Sequence, residues 1–230
     1  MRRATPWHLW EVACVFVVLY AAGWLYHEFS GVIEVLITTP ASLPFQAALS
    51  SGLHQFVLFL AVTLVVVIVH GNPWEALGFR RGEKLWLGAA CGCGIFVAVN
   101  LADRLVGAVT GIRQTVHPLG ISLSQGTGLM DFLYPLVIGS LLIPFGEELY
   151  FRAFTLPPLD RLVRNDWAAI TLGAVFFAAV RLNPWSAVSW FIAGFILGWL
   201  YRRTGSLWVS MTAHGTWMAL VALAIRLSLV

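Results

Sequence analysis

Phe145-Gly146-Glu147-Glu148-Leu149-Tyr150-Phe151-Arg152-Ala153-Phe154 sets three ionisable side chains inside a run, residues 129–155, that otherwise reads as a membrane-spanning helix. A charged side chain at the centre of a bilayer costs roughly 2.5 kcal/mol or more on insertion scales, so a cluster at that depth is retained for a reason. Glu148 and Arg152 stand four apart and share a helix face, where an ion pair lowers the cost of burying both. Glu147 points about 100° away and has no cation on its own helix. The expectation is one carboxylate held by Arg152 and another turned toward a cavity, where it can act as a base. The plain alternative is a buried Glu-Arg pair that only fixes helix orientation. Two consecutive glutamates weigh against it, because one arginine neutralises one of them.

The rest of the chain reads as membrane protein. Of 230 residues, 59% are hydrophobic and 11% charged, and mean hydropathy is +0.82, values that do not fit the surface of a soluble domain. A spanning helix takes roughly 20 apolar residues, so the chain has room for about seven. Candidate spans fall near residues 9–26, 48–70, 85–109, 129–155, 166–182, 186–201 and 207–226. The apolar runs are continuous, which disfavours a transmembrane barrel. The predicted fold is therefore all-α, a polytopic bundle of about seven to eight helices. Residues 1–128 form N-terminal transmembrane helices and loops, and residues 129–230 form the core helices of a single integrated membrane domain.

Net charge is +3, but the basic residues form no tract, so they argue for topology and against nucleic acid. Arg2 and Arg3, then Arg80, Arg81 and Lys84, then Arg161 and Arg164, then Arg202 and Arg203 fall on alternate connections. Residues 27–47 contain no Lys or Arg, and the loop near 110–128 has only Arg113. Cytoplasmic loops carry the basic excess, which predicts an N-terminus on the cytoplasmic side of the cell (plasma) membrane and a C-terminus outside; Arg226 is a mild exception. Arg2-Arg3, the apolar core from Val12 and Ala21-Ala22-Gly23 imitate a signal peptide, but the apolar run continues past the cleavage point and an anchor is expected.

Residues 71–84 combine breakers, charge and an interfacial Trp74, as a cytoplasmic loop would. Residues 111–128, with His117 and Pro118, read as irregular, and His117 as an ordinary loop histidine. Gly88-x-x-x-Gly92 and Gly194-x-x-x-Gly198 put small residues on one face for packing inside the bundle. Cys14, Cys91 and Cys93 are read as buried thiols.

Further polar groups lie downstream at depth. Arg181 ends the run Val175-Phe176-Phe177-Ala178-Ala179-Val180, and His214 follows Ser210-Met211-Thr212-Ala213. A solitary intramembrane histidine often only bonds a neighbouring helix, yet beside a glutamate pair it is what a hydrolytic site requires.

These residues resemble the CPBP family, the CAAX-protease and bacteriocin-processing group of intramembrane endopeptidases. Its pattern is Glu-Glu-x-x-x-Arg, then Phe-x-x-x-His, then His-x-x-x-Asn. Glu147, Glu148 and Arg152 match the first motif, and the stretches Leu77–Arg81 and Tyr201–Trp208 look like the family's text. The resemblance implies a CPBP-like core over roughly Asp131 to Arg226. It also implies that Glu147 activates water with help from a histidine at position 181, while His214 and an asparagine at 218 stabilise the oxyanion.

This chain departs at both later motifs, with Phe177-Ala178-Ala179-Val180-Arg181 and His214-Gly215-Thr216-Trp217-Met218. An arginine at 181 cannot accept a proton and, paired with Glu147, weakens it as a base. A methionine at 218 removes a donor, and one lost oxyanion donor costs on the order of 3 kcal/mol. Arg181 as an electrophilic clamp, or Thr212, Thr216 or a backbone amide as donor, would compensate.

Depth adds a constraint. Counting from the expected cytoplasmic ends puts Glu147 and His214 roughly 10 to 12 Å deep and Arg181 roughly 20 Å deep, so only tilt or different helix ends bring Arg181 to the site. No cofactor and no metal are expected: a catalytic zinc takes three protein ligands, and Arg181 opposes a cation.

The leading expectation is a divergent intramembrane endopeptidase that cleaves a membrane-proximal bond of a membrane-associated peptide or protein. The alternative is a catalytically inactive relative that serves as a binding, escort or immunity-type module. A transporter stands third, since no two-half symmetry is visible.

Overall fold

The computed structural model describes residues 6–36, 43–71, 74–79, 84–112 and 128–227. Arg2, Arg3, Arg80, Arg81, Arg113, His117 and Pro118 lie outside the described residues. Among those described, seven helices follow one another. They are α1 (Leu9–Leu36), α2 (Leu43–Thr63, continued as a π-helical stretch Leu64–Val69), α3 (Leu85–Thr110), α4 (Leu129–Val163), α5 (Asp166–Ala179), α6 (Ala187–Thr204) and α7 (Leu207–Arg226). A short 3₁₀ helix, Trp74–Leu77, lies between α2 and α3. The all-helical expectation is borne out.

Two expectations need correction. Four of the helices, α2 over Gly52–Val69, α3, α4 and α7, are long and apolar enough to cross a membrane, whereas α5, expected to span over 166–182, is a shorter apolar helix. Helix α5 stops because Leu182 takes a left-handed backbone (φ 50°) just before Asn183-Pro184, and a helix does not continue through that sequence. The thiols are not buried either. Cys14 and Cys93 face outward and Cys91 is half-buried, since lipid accepts an apolar side chain as readily as the core does.

Helix α7 is the central element: 56% of it is buried, against 22–28% for the other three spans. Glycines set its distance from its neighbours. A Cβ on Gly88 would come within 2.5 Å of the Val209 carbonyl, and one on Gly92 would collide with the Ala213 carbonyl and stand 2.7 Å from Thr216 Cβ. On the other side of the core, a Cβ on Gly194 would stand 3.0 Å from the Phe177 ring, so α6 rests directly on α5. Both small-residue motifs therefore pack inside the bundle, as read from the sequence.

Helix α4 departs from regular α geometry around the glutamates. Pro144 has no N–H for the carbonyl four residues back, Ser140, and the helix widens to π form over Ile138–Leu142, where Ile143 N–H bonds the Ile138 carbonyl instead. The Ser140 carbonyl lies against Gly215 of α7, where any Cβ would collide with it. A second π stretch, Leu149–Thr155, follows the glutamates. Pro158 likewise offers nothing to Phe154, and the Trp7 indole N–H donates to that carbonyl at 2.8 Å.

One end of the bundle is tied by charge and caps. The Asn165 carboxamide accepts from the N–H groups of Trp167 (2.9 Å) and Ala168 (3.1 Å), capping α5. Arg202 pairs with Asp160 at 3.4 Å and with Asp166, and Arg161 donates to the Trp7 carbonyl. The expected loop reaches the same end, where Leu207 N–H bonds the Gly78 carbonyl at 2.9 Å.

Gly92 and Gly94 make a matched pair, because a Cβ on Gly94 meets nothing within 4 Å. Gly92→Ala is expected to destabilise the bundle by about 1–3 kcal/mol through overpacking. Gly94→Ala is expected to be neutral or stabilising. Unfolding in detergent micelles followed by circular dichroism separates the two.

Candidate active site

Glu147 and Glu148 lie between the two π stretches of α4, both buried. Glu148, fully buried, is held from two helices, its own α4 and α7. Arg152 Nε of its own helix stands 3.2 Å from Oε2, an ion pair without hydrogen-bond alignment. From α7, the Ser210 hydroxyl donates to Oε2 and His214 Nδ1 lies 2.9 Å from Oε1. The Glu148–Arg152 pair expected from four-residue spacing forms.

Glu147 does not face a cavity without a cation. Its Oε2 is ion-paired with the Arg181 guanidinium, the Glu147 side chain is 8% exposed, and His214 Nε2 stands 4.0 Å away. This corrects the expectation, and the expected depth mismatch explains how. Helix α4 runs to Val163 and not to 155, so Glu147 lies about 24 Å from its end. Arg181, just past the C-terminal end of the short α5, falls about 22 Å from that helix's start and reaches the same level.

One aromatic ring carries both cations. Phe177, fully buried, has the Arg152 guanidinium 4.5 Å and the Arg181 guanidinium 4.9 Å from its centroid. Arg181 also lies 4.3 Å from the Trp190 ring. Arg152 completes its contacts with the Gly194 carbonyl at 3.4 Å, which the absent side chain at 194 leaves accessible. Two carboxylates thus face two guanidiniums around an imidazole.

Met218 packs as an apolar side chain against the core. Of the compensating donors expected on α7, the Thr212 hydroxyl bonds the Trp208 carbonyl at 2.8 Å, and the Thr216 Cβ lies against Gly92. Among the described residues, no group of three or more His, Cys, Asp and Glu side chains is arranged to hold a metal ion.

Several site residues were missed from sequence. Ser210 stands four before His214, so a shared face was a usable signal. His54 on α2 lies within electrostatic reach of Glu147 and Arg181, and an ionisable residue in a span was itself a signal. Its neighbour Gln55 is buried with its side chain against Gly146, where a Cβ would collide with the Gln55 carboxamide oxygen. Trp190 and Trp217 carried no sequence signal; only packing brings them in.

Comparison with known proteins agrees with this geometry. Residues 129–220 match the family model described as type II CAAX prenyl endopeptidase Rce1-like. The family resemblance carried by the Glu147-Glu148-Arg152 motif is thereby borne out over the segment. The chain is 26% identical to the "Uncharacterized protein YyaK" of Bacillus subtilis (strain 168), over 91% of its own length and 75% of the relative's. It is 24% identical to the "Putative membrane peptidase YdiL" of the same organism, over 72% of its length and 68% of the relative's. No solved structure matches the chain significantly.

Arg152→Met leaves Glu148 without its cation, and breaking a buried pair costs about 3–5 kcal/mol. Adding Glu148→Gln removes the stranded charge and is expected to restore more than half of the loss. Unfolding midpoints of the native, single and double variants in one detergent provide the measurement.

Proposed function

We propose that this chain is a non-hydrolytic module on a peptidase frame, a membrane protein that holds a membrane-embedded peptide segment and does not cleave it. One observation carries this reading: the Arg181 guanidinium occupies Glu147, the carboxylate that would otherwise activate water. A guanidinium has no acceptor and stays protonated, so it cannot relay the proton that a base must pass on. Met218 leaves the oxyanion side without an amide donor. Retention of Glu148, Arg152, Ser210 and His214 as a bonded set supports preservation of the frame. Its charged end, with Lys84, Arg161, Arg164, Arg202 and Arg203, would face the cytoplasm of a cell membrane, with the N-terminus on that side.

The hydrolytic reading keeps one observation in its favour. His54 supplies an imidazole near Glu147 from α2, a different helix from the one bearing position 181. In that reading His54 takes the proton that Arg181 cannot.

Reconstituted protein offered membrane-spanning peptides, with products read by mass spectrometry, decides between them. The native chain is expected to leave the peptides intact, and Arg181→His with Met218→Asn is expected to gain cleavage that Glu147→Ala abolishes. Cleavage by the native chain that is lost in both Glu147→Ala and His54→Ala would replace this reading with the hydrolytic one.

A further inference from the structure

Four aromatic side chains close a circuit beside the charged cluster. Ring centroids run Phe177–Trp190 5.9 Å, Trp190–Trp217 5.3 Å, Trp217–His214 5.4 Å and His214–Phe177 6.1 Å. Two N–H donors against the Trp190 ring, Trp217 Nε1 and Arg181 Nε, are buried and have no hydrogen-bond partner among the described residues, whereas Arg152 Nε, on the Phe177 side, at least stands 3.2 Å from Glu148 Oε2. Trp217 itself is 3% exposed. Buried donors in native proteins nearly always have acceptors, so two orphans against one ring, Trp190, mark an acceptor that comes from outside.

The nearby carboxylates do not fill that need. Glu148 is engaged by Arg152, Ser210 and His214, and Glu147 by the terminal nitrogen of Arg181, which leaves Nε over. The cluster already sets two carboxylates against two guanidiniums. A third, anionic acceptor would be uncompensated in a buried site, whereas a neutral carbonyl completes the hydrogen bonds without adding charge. The flanks are apolar as well: Leu182 and Trp185 stand exposed on the turn that carries Arg181.

We infer that Trp217 and Arg181 form a subsite for a neutral backbone carbonyl of an apolar peptide, with the Trp217 indole N–H supplying a donor beside the position where Met218 has none. This names the ligand chemistry of the site and rests on the peptide-holding reading above. Arg181 then serves two partners, Glu147 through its terminal nitrogen and the peptide through Nε.

The test uses the full chain in nanodiscs of phosphatidylethanolamine and phosphatidylglycerol. A dye-labelled peptide of Ala, Leu and Val, acetylated and amidated at its ends, is titrated in by fluorescence anisotropy. Trp217→Phe keeps the ring and removes the donor, and is expected to weaken binding about tenfold, the loss of one hydrogen bond, with an unchanged unfolding midpoint. Arg181→Lys keeps the cation on Glu147 and removes Nε, and is expected to weaken binding similarly. Trp208→Phe, away from the circuit, binds as native. Native-like affinity in Trp217→Phe and Arg181→Lys overturns the inference. So does tighter binding of the same peptide ending in a carboxylate, or binding of lipid with no saturable binding of peptide. Cleavage by the native chain, accompanied by weaker binding in Trp217→Phe, would remove the non-hydrolytic reading and leave this subsite standing.

Discussion

A charge inside a bilayer survives only beside its opposite, and in this bundle that requirement is met by Glu147 with Arg181 and Glu148 with Arg152, gathered on the ring of Phe177. The four charged groups come from α4 and the turn after α5, and His214 and Ser210 of α7 join them. Neither pair is independent of the other, because both guanidiniums lie on the same aromatic surface. The cluster therefore locks the relative placement of α4, α5 and α7. The glycine contacts of Gly194 and Gly215 bring the backbones close enough for the side chains to meet.

Much of the fold was legible in the chain. Apolar runs long enough for helices stood out against short charged connections, and all seven candidate segments fold as helices among the described residues. The small-residue pairs at Gly88-Gly92 and Gly194-Gly198 announced close packing, and their partners are other helices of the same bundle. Helix ends were less legible. The span was expected to close at residue 155, yet the prolines that follow, Pro157 and Pro158, stand at the start of a helical turn, where they are tolerated, and α4 continues to Val163. The end of α5 was misplaced in the other direction, since Leu182 gave no sign of its left-handed backbone.

The site was legible where chemistry is local and hidden where it depends on the third dimension. Glu148 and Arg152 announce themselves by spacing along one helix. The partner of Glu147 does not, because Arg181 is 34 residues away and meets it only through the true lengths of α4 and α5. His54 lies further still, on α2. Aromatic residues are common in any membrane chain, so nothing in the sequence separates Trp190 and Trp217 from those that face lipid. The substituted motif positions could be named from sequence, but the effect of Arg181 required knowing which carboxylate it reaches.

The seating of the Ser140 carbonyl against Gly215 works as a key in a keyway. A helix held at that point cannot translate along its neighbour by one turn, nor rotate about its own axis, without driving a carbonyl into a Cα, so α7 and α4 behave as a single rigid wall. The turn Arg181-Leu182-Asn183-Pro184 stands outside that wall, and it carries the guanidinium that closes the cluster. Within the cluster, Arg152 is thus mounted on that wall and Arg181 on a turn.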